Sequence, residues 1–277
     1  MGNLSSFNNF TKDLKEQENL MPVLFMGHGS PMNGIEDNQF SRRWRKMAEE
    51  IPTPSAVLVI SAHWLSNGTK ITAMDFPKTI HDFGGFPQAL FDVQYPAPGD
   101  RQVAEDTASL ITSTKVELDH DWGLDHGAWT VIRHMYPEAD VPVLQLSIDY
   151  NKGPQYHFEL AKELYGLRKK GVLIVGSGNM VHNLRMLAWD KINEPEYGYD
   201  WALELNEKFK KNILEENYQP LINYTLLGRE AQLAIPTPEH YLPLLYTLGV
   251  KGERDDITFF NDKAVAGSLT MTSVKIG

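Results

Sequence analysis

The sequence predicts an α/β fold: a single domain with a central, mostly parallel or mixed sheet that helices cover on both faces. Three short runs carry this prediction, at 23–26, 57–61 and 172–175, because each is apolar along nearly its whole length. Such runs are typical of parallel strands buried on both faces. Stretches with helical spacing alternate with these runs, which is the order of parallel strands joined by crossover helices.

The remaining elements follow in chain order. A helix is predicted over 39–50, where Phe40, Trp44 and Met47 form one apolar stripe. The other predicted helices and strands are helices over 101–112, 156–170, 201–215 and 241–248, and strands over 141–148 and 268–276. Residues 1–20 are polar and predict an N-terminal extension, which leaves 21–277 as the domain.

The segment 79–99 breaks the alternation. Its glycines and prolines, among them Gly84, Gly85 and Pro87, predict a long loop instead of a regular element. Long ordered loops in compact domains are usually functional. We therefore expect this segment to form a lid or a pocket wall.

Composition excludes several classes of protein. The chain has 277 residues and a net charge of −10, from 36 acidic and 26 basic residues, which argues against nucleic acid or an anionic membrane as a partner. It has no cysteine, so disulfides and thiolate metal sites are excluded, and a cytoplasmic location is expected. No apolar run approaches the ~20 residues that span a bilayer.

Histidines follow three of the predicted strands. His28 and His63 lie just beyond the first two, and His182 follows the third after a glycine-rich turn. The carboxyl ends of parallel strands meet at one edge of the sheet, where open α/β sheets bind ligands. Converging imidazoles in a chain without cysteine predict a divalent metal site at that edge.

A fourth ligand candidate lies in the segment 236–241. Thr237 is a good N-cap and Pro238 a good first helical residue, which would place Glu239 and His240 in the first turn of a helix. An acidic residue there favours the helix dipole, whereas a histidine is suited only if it is neutral, as a metal ligand must be. Either residue could be the metal ligand; we favour His240, with Glu239 as a helix cap or as a residue that supports the ligand.

The segment around His126 predicts a proton-transfer group. Aromatic residues and glycines flank this histidine, as expected for an apolar pocket that contains one acid–base group. His81 is placed at the mouth of the same pocket. The aromatic residues predicted to pack on a substrate ring are Trp64, Phe83, Phe86 and Tyr241. We give no role to the remaining histidines, His120, His134 and His157.

Taken together, these motifs resemble the LigB-type class III extradiol ring-cleavage dioxygenases, and within them the DOPA dioxygenase branch. The resemblance covers about 21–277. The motifs that carry it, in chain order, are Gly27-His28-Gly29-Ser30-Pro31, Ser61-Ala62-His63-Trp64, His81-Asp82-Phe83-Gly84-Gly85-Phe86-Pro87, Asp125-His126-Gly127, Gly176-Ser177-Gly178-Asn179 with His182-Asn183-Leu184, and Thr237-Pro238-Glu239-His240.

The resemblance implies one divalent metal ion in a single α/β domain. His28 and His63 match the two metal histidines of the family, and His240, or Glu239 beside it, falls at the third ligand. His126 and His182 match two further active-site histidines, one of which acts as acid and base. In the bacterial relatives, His182 can also complete a four-histidine zinc site.

The implied reaction is the 4,5-cleavage of a catechol such as DOPA by O2. Fe(II) is the expected metal for ring cleavage, whereas an all-imidazole site suits Zn(II), which is expected in the protein as isolated. Two alternatives remain from the residues alone. One is a zinc hydrolase that uses a metal-activated water, and the other is a protein that binds or senses a metal without turnover.

Overall fold

The computed structural model describes residues 20–192, 194 and 196–277. The predicted extension over 1–20 lies outside the described residues, except for Leu20. The main sheet uses strands from both ends of the described chain, from Val23 to Ile276. Within the described ranges, no helix is long and apolar enough to cross a membrane.

Strands and helices alternate over much of the chain. The strands are β1 Val23–Gly27, β2 Ala56–Ser61, β3 Leu65–Ser66, β4 Thr69–Thr72, β5 Val116–Asp119, β6 Val143–Gln145, β7 Ile148–Asp149, β8 Val172–Gly178, β9 Ile257–Phe260, β10 Ala264–Val265, β11 Leu269–Thr270 and β12 Ser273–Ile276. The α-helices are α1 Gln39–Glu50, α2 Gln88–Phe91, α3 Arg101–Leu110, α4 His126–Met135, α5 Pro154–Glu163, α6 Tyr165–Lys169, α7 Asp200–Leu214, α8 Tyr218–Ile222, α9 Arg229–Ala234 and α10 Leu242–Gly249. Short 3₁₀ turns occur at Pro31–Gly34, Leu184–Met186, Trp189–Lys191 and Tyr224–Leu226.

The central sheet has six strands in the order β6-β2-β8-β1-β12-β9. β6, β2, β8 and β1 are parallel to one another. β12 runs antiparallel to β1, and β9 runs antiparallel to β12. Two small parallel pairs, β3 with β7 and β4 with β5, lie outside this sheet. The α/β class and the mostly parallel, mixed sheet are confirmed.

Both faces of the central sheet are buried. Successive side chains of a strand point to opposite faces, so Val23 and Phe25 belong to one hydrophobic core while Leu24 and Met26 belong to the other. Residues of α3, α5, α7 and α10 fill the first core, and residues of α1 and α4 fill the second. This two-sided cover explains why β1, β2 and β8 are buried along their whole length.

Some predicted boundaries are wrong. The strand over 141–148 is divided into β6 and β7, because the amide of Leu146 bonds to Val59 while that of Ser147 turns to Lys70. The helix over 156–170 is divided at Leu164 into α5 and α6. The strand over 268–276 likewise becomes β11 and β12. Alternating or continuous apolar patterns do not reveal such short interruptions.

Candidate metal centre

Two histidines from neighbouring strand ends begin the site. β1 and β2 flank β8 in parallel, so His28, one residue after β1, and His63, two residues after β2, emerge at the same edge. The centroids of their rings are 5.1 Å apart. The His28 amide donates to the carbonyl of Gly178 at 3.1 Å, which holds the turn after β1 against the end of β8.

Five imidazoles surround this edge. The Nε2 atoms of His28 and His63 are 3.2 Å apart, and ligand atoms of these two residues and of His126 all lie within 4.8 Å of one another. The ring of His240 lies 5.3 Å from that of His28 and 4.9 Å from that of His63. His182 stacks on His240, with 3.6 Å between centroids and 6° between planes. The structure thus brings together the five histidines singled out from the sequence for metal binding or proton transfer.

His126 enters the site from the first position of α4. Asp125 caps this helix, since its side chain accepts a hydrogen bond from the amide of Ala128. The next residue must be small: a Cβ on Gly127 would lie 2.4 Å from Ser61 Oγ and 2.8 Å from His63 Cδ2. Gly127 therefore allows the start of α4 to approach the end of β2.

His182 and His240 are placed by the end of β8, which is longer than predicted. The strand continues through Gly176 and Ser177 to Gly178, so His182 follows it by four residues. The amide of Asn179 donates to the His240 carbonyl at 2.8 Å. A Cβ on Gly178 would lie only 2.1 Å from that carbonyl oxygen, so this close contact requires glycine.

The predicted helix start at Thr237 and Pro238 is wrong. α10 begins at Leu242 and Tyr241 is its N-cap. The Thr237 hydroxyl donates to Glu239 Oε1 at 2.7 Å and does not cap the helix. Glu239 and His240 therefore lie in a separate turn ahead of α10. The dipole of α10 consequently does not explain why an acidic residue occupies position 239.

Contacts at the outer nitrogen of the ring, which is Nδ1, orient two of the imidazoles. Ser177 Oγ donates to the Gly127 carbonyl at 2.5 Å, so it accepts from His28 Nδ1 at 3.0 Å. His28 consequently turns an unprotonated Nε2 toward His63. His240 Nδ1 lies 3.4 Å from Glu239 Oε1, a carboxylate–histidine contact that often supports metal ligands.

The environment keeps these rings neutral. Burial, and then repulsion from the neighbouring imidazoles, hold the pKa values of His28 and His63 well below 6.5. Burial lowers the pKa of His182 to about 3 and also lowers the pKa of His240. Neutral imidazole is the form that binds metal. The site is therefore ready to accept a cation at neutral pH.

Glu239 remains ionised beside this cluster. Burial works against the charge, but hydrogen bonds from His240 and Thr237 lower the pKa of Glu239 to about 2. Its carboxylate is 24% exposed and contacts the outer nitrogen of His240. This position agrees with a supporting role for Glu239.

Three polar residues that support the site have no sequence pattern that singles them out: Ser177, Asp82 and Asp125. Asp82 Oδ2 lies 2.9 Å from His126 Nδ1 and 3.3 Å from His63 Nδ1. Asp125 is fully buried and accepts hydrogen bonds from Ser61 Oγ at 2.6 Å and from Gln145 Nε2 at 3.1 Å; burial raises its pKa. The available signal was that both aspartates directly adjoin a singled-out histidine, His81 or His126.

The aromatic residues of the long loop cover one side of the site. Phe83 packs edge-on against His126, with centroids 5.5 Å apart, and Phe86 packs on Phe83 at 5.6 Å. His81 is 5.8 Å from Phe83 and its Nε2 bonds to the carbonyl of Val93. The segment 79–99 is mostly irregular, with α2 as its one α-helix, as predicted.

Trp64 and Tyr241 have other surroundings. Trp64 stacks on Trp122 at 5.6 Å and 3°, in a groove whose lining includes Tyr150 but none of the five histidines. Tyr241 is 1% exposed in the core and donates its hydroxyl to the carbonyl of Leu221. The ring contacts that the structure gives these two residues are with Trp122, and with Phe209 and Tyr224, so they do not establish the predicted packing on a substrate ring.

Sequence comparison gives two kinds of match. Residues 22–270 match the family described as the catalytic LigB subunit of aromatic ring-opening dioxygenase. The chain is 48% identical over 270 residues to a protein of Escherichia coli K12 named 4,5-DOPA dioxygenase extradiol, covering 96% of this chain and 98% of that protein. A Beta vulgaris protein of the same name is 32% identical over 268 residues, covering 94% of this chain and 97% of its own length.

A solved structure is also similar. The crystal structure of an uncharacterized protein from Escherichia coli K12 has a TM-score of 0.80 and 43% sequence identity to this chain. The match covers 93% of this chain and all of the other. Fold and sequence therefore agree over nearly the whole chain.

Proposed function

The chain belongs to the LigB family of aromatic ring-opening dioxygenases and is an extradiol enzyme of that family, and we propose that it cleaves DOPA or a closely related catechol at the 4,5-position with O2. The names of the relatives, 4,5-DOPA dioxygenase extradiol, support this choice of substrate. The reaction inserts both atoms of O2 into the product, and the catechol supplies the electrons, so no further reductant is required.

The main structural support for a metal-dependent reaction is the pair of facing Nε2 atoms of His28 and His63. They are 3.2 Å apart, and the Nε2 of His28 has no proton because its Nδ1 donates to Ser177. Two imidazole nitrogens bound to one metal ion at about 2.0–2.1 Å lie roughly this far apart. A buried pair of this kind fits a shared cation.

The metal would be held by His28, His63 and His240. Family membership, and the group of His28, His63 and His126 whose ligand atoms lie within 4.8 Å of one another, make the enzyme metal-dependent. The outer nitrogens of both rings contact a carboxylate, so His240 is preferred over His126 as the third ligand because it falls at the third-ligand position that the resemblance implies, whereas His126 is packed against Phe83 on the side of the aromatic loop. His182, stacked on His240, is proposed as the fourth imidazole of a zinc form.

We propose Fe(II) as the working metal and Zn(II) as the ion present in the isolated protein. Iron can change its oxidation state and so permits a reaction with O2 that zinc does not support. The neutral, all-imidazole donor set accepts either ion.

The residues of the chain supply proton transfer and an apolar wall. His126 Nε2 takes a proton from a catechol hydroxyl, since its Nδ1 is held by Asp82, whose carboxylate stabilises the resulting imidazolium. His182 is the second proton-transfer group during ring opening. Phe83 and Phe86, with His81 behind them, pack against the aromatic ring and exclude water from that side.

Oxygen consumption tests the proposed function. The protein is stripped of metal, reloaded anaerobically with Fe(II) and mixed with L-DOPA in an oxygen electrode. We expect O2 uptake that matches the loss of DOPA and a yellow ring-opened product, while zinc-loaded protein consumes none.

A His126→Gln variant tests the proton-transfer role of His126, because it keeps a polar side chain but lacks the acid–base group. We expect a loss of about 10²–10⁴-fold in kcat with Fe(II) retained. Confirmed Fe(II) occupancy without O2 uptake, on DOPA or on simpler catechols, would contradict the proposal and return the two alternatives, a zinc hydrolase and a non-catalytic metal site.

A further inference from the structure

One carboxylate lies between two histidines of the site. Asp82 Oδ2 is 2.9 Å from His126 Nδ1 and 3.3 Å from His63 Nδ1, and Asp82 Oδ1 accepts from the His126 amide at 2.9 Å. The side chain is only 18% exposed, although its residue lies in a surface loop. Both oxygens of Asp82 are thus directed at the start of α4 and the turn after β2.

The aromatic loop fixes the position of this carboxylate from both sides. Before Asp82, the amide of Ile80 donates to Leu124 at 2.7 Å and its carbonyl accepts from Trp129 Nε1 at 2.9 Å. After Asp82, the ring of Phe83 packs on His126. Because the segment is bound on each side, the carboxylate is held in place and does not merely follow the histidines.

The chemistry of an ionised carboxylate determines which nitrogen of each ring carries the proton. A carboxylate only accepts hydrogen bonds, so the Nδ1 of His126, hydrogen-bonded to Asp82 at 2.9 Å, must be protonated, and the electrostatic contact at 3.3 Å favours a proton on the Nδ1 of His63 as well. In a neutral ring the other nitrogen then has a free lone pair. For His63 and His126 this nitrogen is Nε2, and the Nε2 of His63 is the atom that faces His28.

We propose that Asp82 is a positioning residue: its single carboxylate holds the Nδ1–H groups of His63 and His126 together and turns both Nε2 lone pairs into the centre. This inference rests on the proposed function for what the two nitrogens do, one binding metal and the other accepting a substrate proton. The tautomer of each ring is a property of the protein itself and can be measured without turnover.

An Asp82→Asn variant tests the role because it keeps the size of the side chain. One of its two terminal groups becomes an NH₂ donor, which cannot accept Nδ1–H. We expect at least one ring to move its proton to Nε2 in the metal-free variant, as read from ¹⁵N–¹H correlation spectra of the imidazoles. Metal affinity should fall about 10–100-fold, as is usual when a residue supporting a ligand is lost.

Asp92 offers the matched control. It belongs to the same loop, is exposed and contacts Gln88 instead of a histidine. Asp92→Asn should leave both the tautomers and the metal affinity unchanged. If Asp82→Asn shows wild-type tautomers and the same metal affinity as Asp92→Asn, the positioning role is overturned.

A second pair of variants covers the case in which Asp82→Asn does not fold. Asp82→Glu and Asp82→Gln have the same length and differ only in the acceptor. We expect the Glu variant to retain Nδ1–H on both rings and to bind metal more tightly than the Gln variant. Equal tautomers and equal affinities in this pair would overturn the proposal. Neither measurement uses DOPA, so a failure here is distinct from a failure of the proposed reaction.

Discussion

Single residues of this site are distinguished by what contacts their outer nitrogen. Ser177 lies at the Nδ1 atom of His28, and Glu239 lies at that of His240. Asp82 lies at the Nδ1 atoms of both His63 and His126. Buried ring nitrogens rarely lack a partner, and here the partners leave the inner nitrogens free. These four histidines consequently act as an oriented set, which their positions in the sequence alone do not imply.

The ligand assignment at the turn before α10 gives the first prediction. His240→Ala should lose metal, because a ligand is removed. Glu239→Gln should keep the metal but bind it about 10–100-fold more weakly, since only the support of the ring is lost. Metal content by mass spectrometry after dialysis, and affinity by competition with a chelator, measure both effects.

His120→Ala is the control for this prediction, because His120 is exposed and no role is given to it. It should retain the metal content of the wild type. A His240→Ala protein that keeps its metal, alongside a Glu239→Gln protein that loses it, would show that the carboxylate is the ligand.

At the residue scale, the histidines and the supporting position of Glu239 were predictable, whereas the support from Asp82 and Ser177 was not. His28 and His63 each follow an apolar strand, and neighbouring parallel strands end at one edge. Asp82 contacts His126 across 44 positions of sequence, a pairing that depends on how the loop folds over α4. No local pattern encodes such a contact, so tertiary structure was needed to find it.

At the scale of elements, the glycine-rich end of β8 governs how closely the His240 turn can approach. Gly178→Ala should displace this turn, because the added Cβ would lie 2.1 Å from the His240 carbonyl oxygen. We expect a loss of about 1–3 kcal/mol in the free energy of unfolding and weaker metal binding. Chemical denaturation and a metal titration measure these changes.

Gly153→Ala is the matched glycine control. Its added Cβ meets nothing within 4 Å, and its φ of −85° suits any residue. This variant should keep wild-type stability and affinity. Unchanged metal affinity in Gly178→Ala would mean that His240 does not depend on the packing of β8.

The interface of α5 and α10 carries a pH-dependent prediction. His157 is fully buried and bonds through Nδ1 to the Tyr246 hydroxyl, and burial lowers its pKa from 6.5 to about 4. Below pH 6.5 the His157 side chain of the unfolded chain therefore binds a proton, whereas that of the folded chain stays neutral until the pH approaches 4. The stabilising effect of the neutral ring is complete above pH 6.5 and falls away toward pH 4, by about 2 kcal/mol at pH 5.

Comparison with His157→Gln isolates this contribution. The variant should be less stable than the wild type at pH 7, and the difference between the two free energies of unfolding should shrink by about 2 kcal/mol at pH 5. Denaturant unfolding at both pH values measures it. A difference that is the same at both pH values would contradict the expected protonation of His157 on unfolding.

Element boundaries show where sequence patterns lose precision. α1 was predicted with the observed bounds because three apolar residues repeat at helical spacing. In the structure Asn38 caps its start. The end of β8 was placed too early, since Gly176 and Gly178 suggested a turn. In the structure they lie within the strand, where their lack of a side chain admits α10 and the His240 turn.

At the scale of the whole molecule, one buried ion pair joins distant parts of the chain. Arg168 is fully buried and pairs with Asp255, whose side chain is 9% exposed. The same guanidinium donates to the carbonyls of Met21 and Val250. It therefore ties the start of β1 to α6 and to the segment that leads into β9.

Removing this arginine should destabilise the fold strongly. Arg168→Met leaves the carboxylate of Asp255 without its partner, and we expect a loss of about 3–5 kcal/mol in the free energy of unfolding. Arg42→Met, which breaks the exposed pair with Asp37, should cost at most about 1 kcal/mol. Equal losses in the two variants, measured by urea unfolding, would contradict the structural role of Arg168.

The most direct test of the central claim, that this chain opens a catechol ring with O2, is the fate of the oxygen atoms. Fe(II)-loaded protein is given L-DOPA under isotopically labelled O2, and the product is analysed by mass spectrometry before its groups exchange with water. We predict a ring-opened product that contains both atoms of one O2 molecule. Product that carries no label, or oxygen derived from water, would contradict the account.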